Sequence, residues 1–192
     1  MRAGTDTGTT AARGMSAPAL RPATADDRAT ARPMRVLFLC TGNSCRSLLA
    51  EATFNHLAPP HWRALSAGSR PTGQVHPRSL ALLRRAGIPT DGYHSKSWDT
   101  LPEAPDFVIT VCASAAGEAC PAYLGPAVRA HWGVDDPAHA AGTDAEIDAA
   151  FERAYRTLRR RIEAFLALPL DALRDDPPRL QAALERIGST IE

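Results

Sequence analysis

The chain has 192 residues, of which 44% are hydrophobic, enough for one globular domain with a substantial core. Its formal net charge of +1 excludes the strong positive field that nucleic acids and membrane surfaces attract, so neither is expected as a partner. Four cysteines are too few for a disulfide scaffold, and no apolar run approaches the roughly 20 residues of a membrane-spanning helix. We expect a cytoplasmic protein whose cysteines serve catalysis or metal binding.

Residues 1–33 are predicted to form a disordered N-terminal extension. They are rich in Ala, Thr, Arg, Gly and Pro, with few large apolar residues to bury. Two origins of this extension stay open: an upstream start with Met34 as the true beginning, or a weak organelle-transit sequence. A catalytic domain is predicted at residues 34–168, followed by a C-terminal helical appendage at residues 169–192.

Strands and helices alternate along the predicted catalytic domain. Apolar runs predict strands at residues 35–39, 62–67, 107–111 and 128–132. A first helix is predicted from Ser47 to the Pro59-Pro60 pair, and a second begins at Pro77 with one buried face, formed by Leu80, Leu83 and Ala86. This alternation predicts an α/β fold, a three-layer sandwich around a central four-stranded parallel sheet.

Two further helices are predicted after the last strand. Thr143 and Glu146 form a capping box that begins a long helix, which ends before Pro169. Its buried stripe is predicted to consist of Ile147, Phe151, Ala154, Leu158, Ile162 and Phe165. A short amphipathic helix is predicted at about residues 179–187, with Gly188 as its stop.

Three reactive side chains lie just past the ends of predicted strands. They are Cys40, Cys112 and Asp136. Because ligands of such sheets bind at the carboxyl ends of the strands, we expect these residues to share one site.

The loop after Cys40 has the composition of an anion-binding loop. Backbone amides can cradle a tetrahedral oxyanion there, and the following helix directs its positive end to the same place. Arg46 offers a planar fork to two oxygens, and Ser47 can donate a hydrogen bond to a Cys40 thiolate. We therefore expect a lowered pKa for Cys40. The predicted oxyanion-binding residues are Thr41, Gly42, Asn43, Ser44, Cys45 and Arg46.

Three motifs carry a resemblance to a known family. CTGNSCRS at Cys40–Ser47 resembles the phosphate loop of the low-molecular-weight protein tyrosine phosphatase superfamily. VCASAAGEACP at Val111–Pro121 and HWGVDDPA at His131–Ala138 resemble the arsenate reductases built on that fold. The resemblance covers about residues 35–165 and implies a low-molecular-weight phosphatase-like fold with arsenate as substrate. It also implies that Asp136, rather than Asp135, is the general acid that protonates the leaving oxygen.

Cys112 and Cys120 favour the reductase branch, because a phosphatase needs only one nucleophilic cysteine. In the implied relay, Cys40 attacks arsenate, Cys112 resolves the adduct with release of arsenite, and Cys120 then attacks Cys112. An external donor would reduce the final disulfide. Seven residues separate Cys112 and Cys120, one more than in thioredoxin-coupled members, so thioredoxin and glutathione with glutaredoxin both stay open.

Cys45 lies inside the loop and is interpreted as structural, with a Cys40–Cys45 disulfide as the rival interpretation. The resemblance also implies a possible potassium site at Asn43, Glu51 and Ser66, although Ser97 stands where an aspartate is expected. The histidines lack metal-ligand spacing, so no bound metal or cofactor is expected. We expect a monomer.

Two other functions compete with arsenate reduction. The first is a phosphatase of the same fold, against which Ala138-His139-Ala140 argues, because aromatic side chains that would flank a phosphotyrosine ring are missing there. The second is a thiol redox sensor or oxyanion-binding regulatory module without catalysis.

Overall fold

A computed structural model describes residues 32–112, 125–173 and 176–191. All but the last two residues of the predicted disordered extension lie outside the described residues. Residues 113–124, which include the predicted relay residue Cys120, lie outside them as well.

Four parallel strands form the central sheet. They are β1 (Met34–Cys40), β2 (Trp62–Gly68), β3 (Phe107–Thr110) and β4 (Val128–His131), in the spatial order β2-β1-β3-β4. All three neighbouring pairs are parallel, which confirms the predicted α/β fold with a four-stranded parallel sheet. The carboxyl ends of β1, β3 and β4 therefore lie at one edge, as the site prediction requires.

Five α-helices lie within the described residues. They are α1 (Arg46–Leu57), α2 (Pro77–Arg85), α3 (Asp144–Leu166), the short α4 (Leu170–Leu173) and α5 (Pro177–Thr190). Two 3₁₀ turns, Trp98–Thr100 and Pro137–His139, complete the regular structure. The predicted capping box is present, since Thr143 Oγ1 accepts from the Glu146 N–H and Glu146 accepts from the Thr143 N–H. None of the described helices is long and apolar enough to cross a membrane.

The two faces of the sheet are covered differently. Alternate side chains of β1 point to opposite faces, Val36 and Phe38 to one and Leu37 and Leu39 to the other. The first face shares a large core with the described helices, built around an aromatic cluster that contains Phe38, Phe54, Trp62, Phe107, Trp132 and Phe165. The second face has a smaller core, against which Leu65, Trp98, Leu101 and Ala127 pack. Helix α1 is buried along eight consecutive residues, so the loop before it is held firmly.

Two helix predictions differ from the structure. Helix α2 buries Ser79, Leu82 and Leu83, while Leu80 is only half-buried. On the buried face, the Ser79 hydroxyl donates to Cys45 Sγ, at 3.4 Å, in the loop after β1. The prediction that Gly188 stops the last helix is wrong, because α5 continues through it to Thr190. At that position glycine provides close packing rather than termination, as described below.

Candidate active site

The loop of residues 41–45 passes directly over the end of β2. Cys40 and Gly68 are partners in the register of β1 and β2. A Cβ atom at Gly68 would lie 2.4 Å from the Thr41 carbonyl oxygen and 3.0 Å from the Asn43 nitrogen. Glycine is therefore required at this position, a requirement that a glycine at a strand end does not reveal in the sequence.

The loop carbonyls point toward the segment at residues 70–76. Backbone N–H groups of that segment donate to them, from Arg70 to Thr41 (2.9 Å), Thr72 to Gly42 (3.0 Å) and His76 to Ser44 (2.9 Å). In a trans peptide the N–H after each carbonyl points the opposite way. The amides of Gly42, Asn43 and Cys45 therefore face away from this segment, the arrangement expected of an anion-binding loop.

Asn43 holds the loop in its shape. Its φ of 41° is left-handed, a conformation that asparagine tolerates better than most residues. Its N–H donates to Cys40 Sγ at 3.1 Å. Its side-chain carbonyl accepts from the Lys96 N–H (2.7 Å), and its Nδ2 donates to the hydroxyls of Ser47 (2.9 Å) and Ser66 (2.8 Å). One fully buried asparagine thus connects the thiol, through its backbone N–H, with three polar groups that bind its side-chain amide.

The Ser47 hydroxyl is oriented toward the Cys40 sulfur. The two atoms lie 2.9 Å apart. Because Ser47 Oγ already accepts a hydrogen bond from Asn43, its own proton is available for donation to Cys40. The structure thus places the Ser47 hydroxyl where it favours a thiolate at Cys40.

The structure contradicts the expectation of a lowered pKa for Cys40. Burial raises the pKa of the thiol, while the Ser47 hydroxyl and the Asn43 N–H hold that rise back, and neighbouring Cys112 adds to it. Cys40 therefore depends on the Ser47 hydrogen bond for its thiolate population.

Ser47→Ala tests this dependence. A hydrogen bond to a charged group contributes about 1.5 kcal/mol, so its loss should raise the pKa of Cys40 by about one unit. Iodoacetamide alkylation of Cys40 should slow about tenfold at pH 7, with its midpoint moved to higher pH. Alkylation followed by mass spectrometry across a pH series measures both quantities. Ser44→Ala, in the same loop but donating to Gln74 O, is the control. A Ser47→Ala profile that matches the parent would contradict the assigned role.

The hydrogen-bond network continues from Ser66 to a buried ion pair. The Ser66 hydroxyl donates to Glu51 Oε2 at 2.6 Å, and Lys96 Nζ lies 3.3 Å from the same oxygen. Burial raises the pKa of Glu51, while Lys96 and the Ser66 hydroxyl lower it. Sequence reasoning did not assign Lys96 to the site, although it is the only lysine in the chain.

Lys96 bears on the potassium site implied by the family resemblance. Each of the three implied ligands is engaged within the protein: Asn43 Oδ1 by the Lys96 N–H, Glu51 by Lys96 Nζ, and Ser66 by its bond to Glu51. The Ser97 hydroxyl donates to Asp99. This arrangement favours the Lys96 ammonium, rather than a potassium ion, as the cation beside Glu51. No cluster of three His, Cys, Asp or Glu side chains suited to a metal occurs among the described residues.

Lys96→Met should destabilise the fold, and more strongly at high pH. The variant leaves Glu51 buried without its cation, which should cost about 2–3 kcal/mol of unfolding free energy at pH 8, somewhat less than for a fully buried pair. Since the pKa of Glu51 rises further in the variant, protonation should relieve much of this cost at pH 5. Urea unfolding at both pH values measures the difference. In the Glu51→Gln background, Lys96→Met should cost much less, and an equal cost in both backgrounds would refute the pairing.

Cys112 lies beside the loop, as its place after β3 predicts. Its side chain is buried, and its Sγ lies 3.8 Å from the Thr41 hydroxyl. Cys40, Cys45 and Cys112, the three cysteines within the described residues, are all free thiols. The third predicted relay cysteine, Cys120, lies outside the described part of the chain.

The Cys45 side chain contacts helix α2 rather than the reacting atoms. Burial raises the pKa of its thiol to about 12, although the Ser79 hydroxyl donates to it. These contacts favour the structural interpretation of Cys45 over the Cys40–Cys45 disulfide.

Arg46 joins the anion-binding loop to the loop after β4. Its guanidinium donates to the Val134 carbonyl at 2.7 Å and to Asp136 Oδ2 at 2.5 Å. Asp136 also caps the second 3₁₀ turn through the Ala138 N–H, whereas Asp135 is exposed. The structure thus brings Asp136, rather than Asp135, to Arg46 across 90 positions of sequence.

Comparison with known proteins agrees with this geometry. A family model described as low molecular weight phosphotyrosine protein phosphatase matches residues 35–177, well over half of the chain. The chain belongs to this family. Within it, the arsenate reductase of Halalkalibacterium halodurans is 40% identical over 131 residues, covering 68% of this chain and 93% of the relative. The arsenate reductase of Bacillus subtilis is 36% identical with the same coverage.

Solved structures of this phosphatase family share the fold. The crystal structure of arsenate reductase from Archaeoglobus fulgidus has a TM-score of 0.58 and 25% identity, covering 69% of this chain and 99% of that one. The thioredoxin-dependent arsenate reductase of Corynebacterium glutamicum has a TM-score of 0.50 and 27% identity, covering 72% and 66%. The family match ends at residue 177, so nearly all of α5 lies beyond it.

Proposed function

We propose that this protein is a cytoplasmic arsenate reductase that reduces arsenate to arsenite through a relay of its own cysteines. The observation that carries the relay is the second buried thiol, Cys112, beside the loop that presents Cys40. A hydrolytic phosphatase has no use for a thiol in that place, whereas a reductase needs one to take up the oxidation. The arsenate reductases among the similar proteins support the same substrate.

In the first step, the Cys40 thiolate attacks the arsenic atom of arsenate. A sulfur–arsenic bond forms and one arsenic–oxygen bond breaks, with the leaving oxygen protonated by Asp136. The arsenate oxygens bind to the loop amides and to Arg46. Because Arg46 is paired with Asp136, an incoming oxyanion competes for the guanidinium and frees the Asp136 carboxylate. That carboxylate takes up a proton, from hydrogen arsenate or from solvent, and then donates it to the leaving oxygen.

In the second step, Cys112 attacks the sulfur of Cys40. A disulfide forms, the sulfur–arsenic bond breaks, and its electron pair remains on arsenic, which leaves as arsenite. Two thiols are oxidised to one disulfide while arsenic(V) is reduced to arsenic(III), so two electrons are transferred on each side. The 3.8 Å contact of Cys112 with Thr41, the residue after Cys40, supports a short path for this attack.

In the third step, Cys120 attacks Cys112 and releases the Cys40 thiolate. A dithiol donor then reduces the Cys112–Cys120 disulfide. We propose thioredoxin as this donor, because the similar Corynebacterium glutamicum protein is described as thioredoxin-dependent. Glutathione with glutaredoxin is the competing donor, and the additional residue between Cys112 and Cys120 is the sequence feature in its favour.

Two coupled assays test the activity and the donor. Arsenate-dependent NADPH oxidation is measured with thioredoxin and thioredoxin reductase, and separately with glutathione, glutaredoxin and glutathione reductase. We expect turnover with the thioredoxin system and much slower turnover with the other. Faster turnover with the glutaredoxin system would identify glutathione with glutaredoxin as the donor. If neither system oxidises NADPH in response to arsenate, the reductase function is refuted.

A further inference from the structure

Helix α5 packs directly on the backbone that leads into the loop at residues 132–136, here called the acid loop. A Cβ atom at Gly188 would lie 2.2 Å from the His131 carbonyl oxygen and 2.6 Å from Trp132 Cδ1. The indole N–H of Trp132, which is fully buried, donates to the Leu184 carbonyl of the same helix at 2.9 Å. Only a glycine at position 188 allows this close approach, which fixes the first residue of the acid loop against α5.

A buried arginine makes a second connection between the same two parts of the chain. Arg161 projects from α3 and is 5% exposed. Its Nε donates to the Ile191 carbonyl at 2.8 Å, directly after α5, and its Nη1 donates to the Gly133 carbonyl at 3.1 Å. One guanidinium therefore fixes the position of the acid loop relative to the end of α5.

The acid loop in turn carries the groups that hold Arg46 and the proposed acid. The Val134 carbonyl accepts from Arg46 at 2.7 Å, and Asp136 pairs with the same guanidinium at 2.5 Å. A shift of the loop backbone at Trp132 or Gly133 would therefore move both partners of Arg46 together. Misplacement of a catalytic group by about 1 Å can lower a rate by about a hundredfold.

We infer that helix α5, through Gly188 and Arg161, is a positioning element for the acid loop. It aligns Asp136 and Arg46 without touching the substrate. This inference rests on the proposed function, because Asp136 is the acid of the proposed first step. It concerns a part of the chain that extends beyond the segment matched by the family model.

Gly188→Ala tests the inference in the full chain. The added methyl group must push α5 away from the His131 carbonyl, so kcat for arsenate reduction should fall at least about tenfold. Alkylation of Cys40 by iodoacetamide without arsenate should stay within about twofold of the parent, because the loop around Cys40 is held by β2, residues 70–76 and Asn43. Ser189→Ala, at the adjacent exposed position, is the matched control and should match the parent in both assays.

The outcomes separate positioning from general damage. If Gly188→Ala keeps the parent kcat, or loses turnover and Cys40 alkylation together, the positioning role is overturned. If this variant does not fold by circular dichroism, Arg161→Lys decides, since it keeps the charge but cannot hold both carbonyls in the same fork. It should lower kcat with Cys40 alkylation unchanged, and an unchanged kcat would overturn the inference. A parent chain that alkylates normally but reduces no arsenate would instead refute the proposed function.

Discussion

Cys40→Ser should lower arsenate reduction by at least about a thousandfold. A serine hydroxyl at this position is a far weaker nucleophile than a thiolate. It also cannot form the disulfide that carries away the oxidation. Arsenite production by the purified variant, with thioredoxin, thioredoxin reductase and NADPH in excess, measures the loss.

Cys45→Ala is the matched control for this prediction. Cys45 lies in the same loop, is equally buried, and has a pKa raised to about 12 by burial. Its replacement should leave turnover within about tenfold of the parent, because it removes a packing contact and the hydrogen bond from Ser79 rather than a reacting atom. A loss as large as that of Cys40→Ser would instead favour a pathway through a Cys40–Cys45 disulfide.

Cys112→Ser should abolish arsenite production while leaving the Cys40 loop intact. The expected loss is again about a thousandfold or more, because nothing else at the site is assigned to break the sulfur–arsenic bond by forming a disulfide. Cys112 is buried at the end of β3, and a serine of similar size should fold there. Iodoacetamide alkylation of Cys40 in the variant verifies that the nucleophile is still present and reactive.

The same variant separates a reductase from a phosphatase. Hydrolysis of p-nitrophenyl phosphate requires only Cys40, Arg46, an acid and water, so any such activity of the parent should survive in Cys112→Ser. Loss of arsenite production with retention of hydrolysis fits the relay. Continued arsenite production by Cys112→Ser would contradict it.

The features that local sequence predicts well are those whose cause is local. The apolar run of β1 predicts a strand buried on both faces, and its last residue, Cys40, places the thiol at the edge of the sheet. The capping box at Thr143 and the periodic stripe of α3 depend on neighbours within a few residues, so their positions follow from spacing. Of the predicted stripe, only Ile147 in the first turn is half-buried rather than buried. Because parallel strands align their ends, the approach of Cys112 and Asp136 to the loop was also predictable.

The features that escaped prediction depend on contacts between distant parts of the chain. Lys96 and Glu51 are 45 positions apart, and no local pattern in the sequence indicates that they form a pair. The raised pKa of Cys40 results from burial and from the proximity of Cys112, and the sequence shows neither. A glycine near the end of a helical pattern, such as Gly188, is typical of a helix stop. Its actual role is close packing against the His131 backbone, and only the tertiary structure brings the two together.

In the proposed relay, the chain's own cysteine thiols donate two electrons to arsenic. An experiment without any external donor tests this transfer. The fully reduced parent chain is mixed with excess arsenate, free thiols are alkylated, and arsenite and disulfides are measured by mass spectrometry. We expect about one arsenite per chain, together with one disulfide that joins Cys112 to Cys40 or to Cys120. No arsenite, or arsenite released while all cysteines remain thiols, would contradict it.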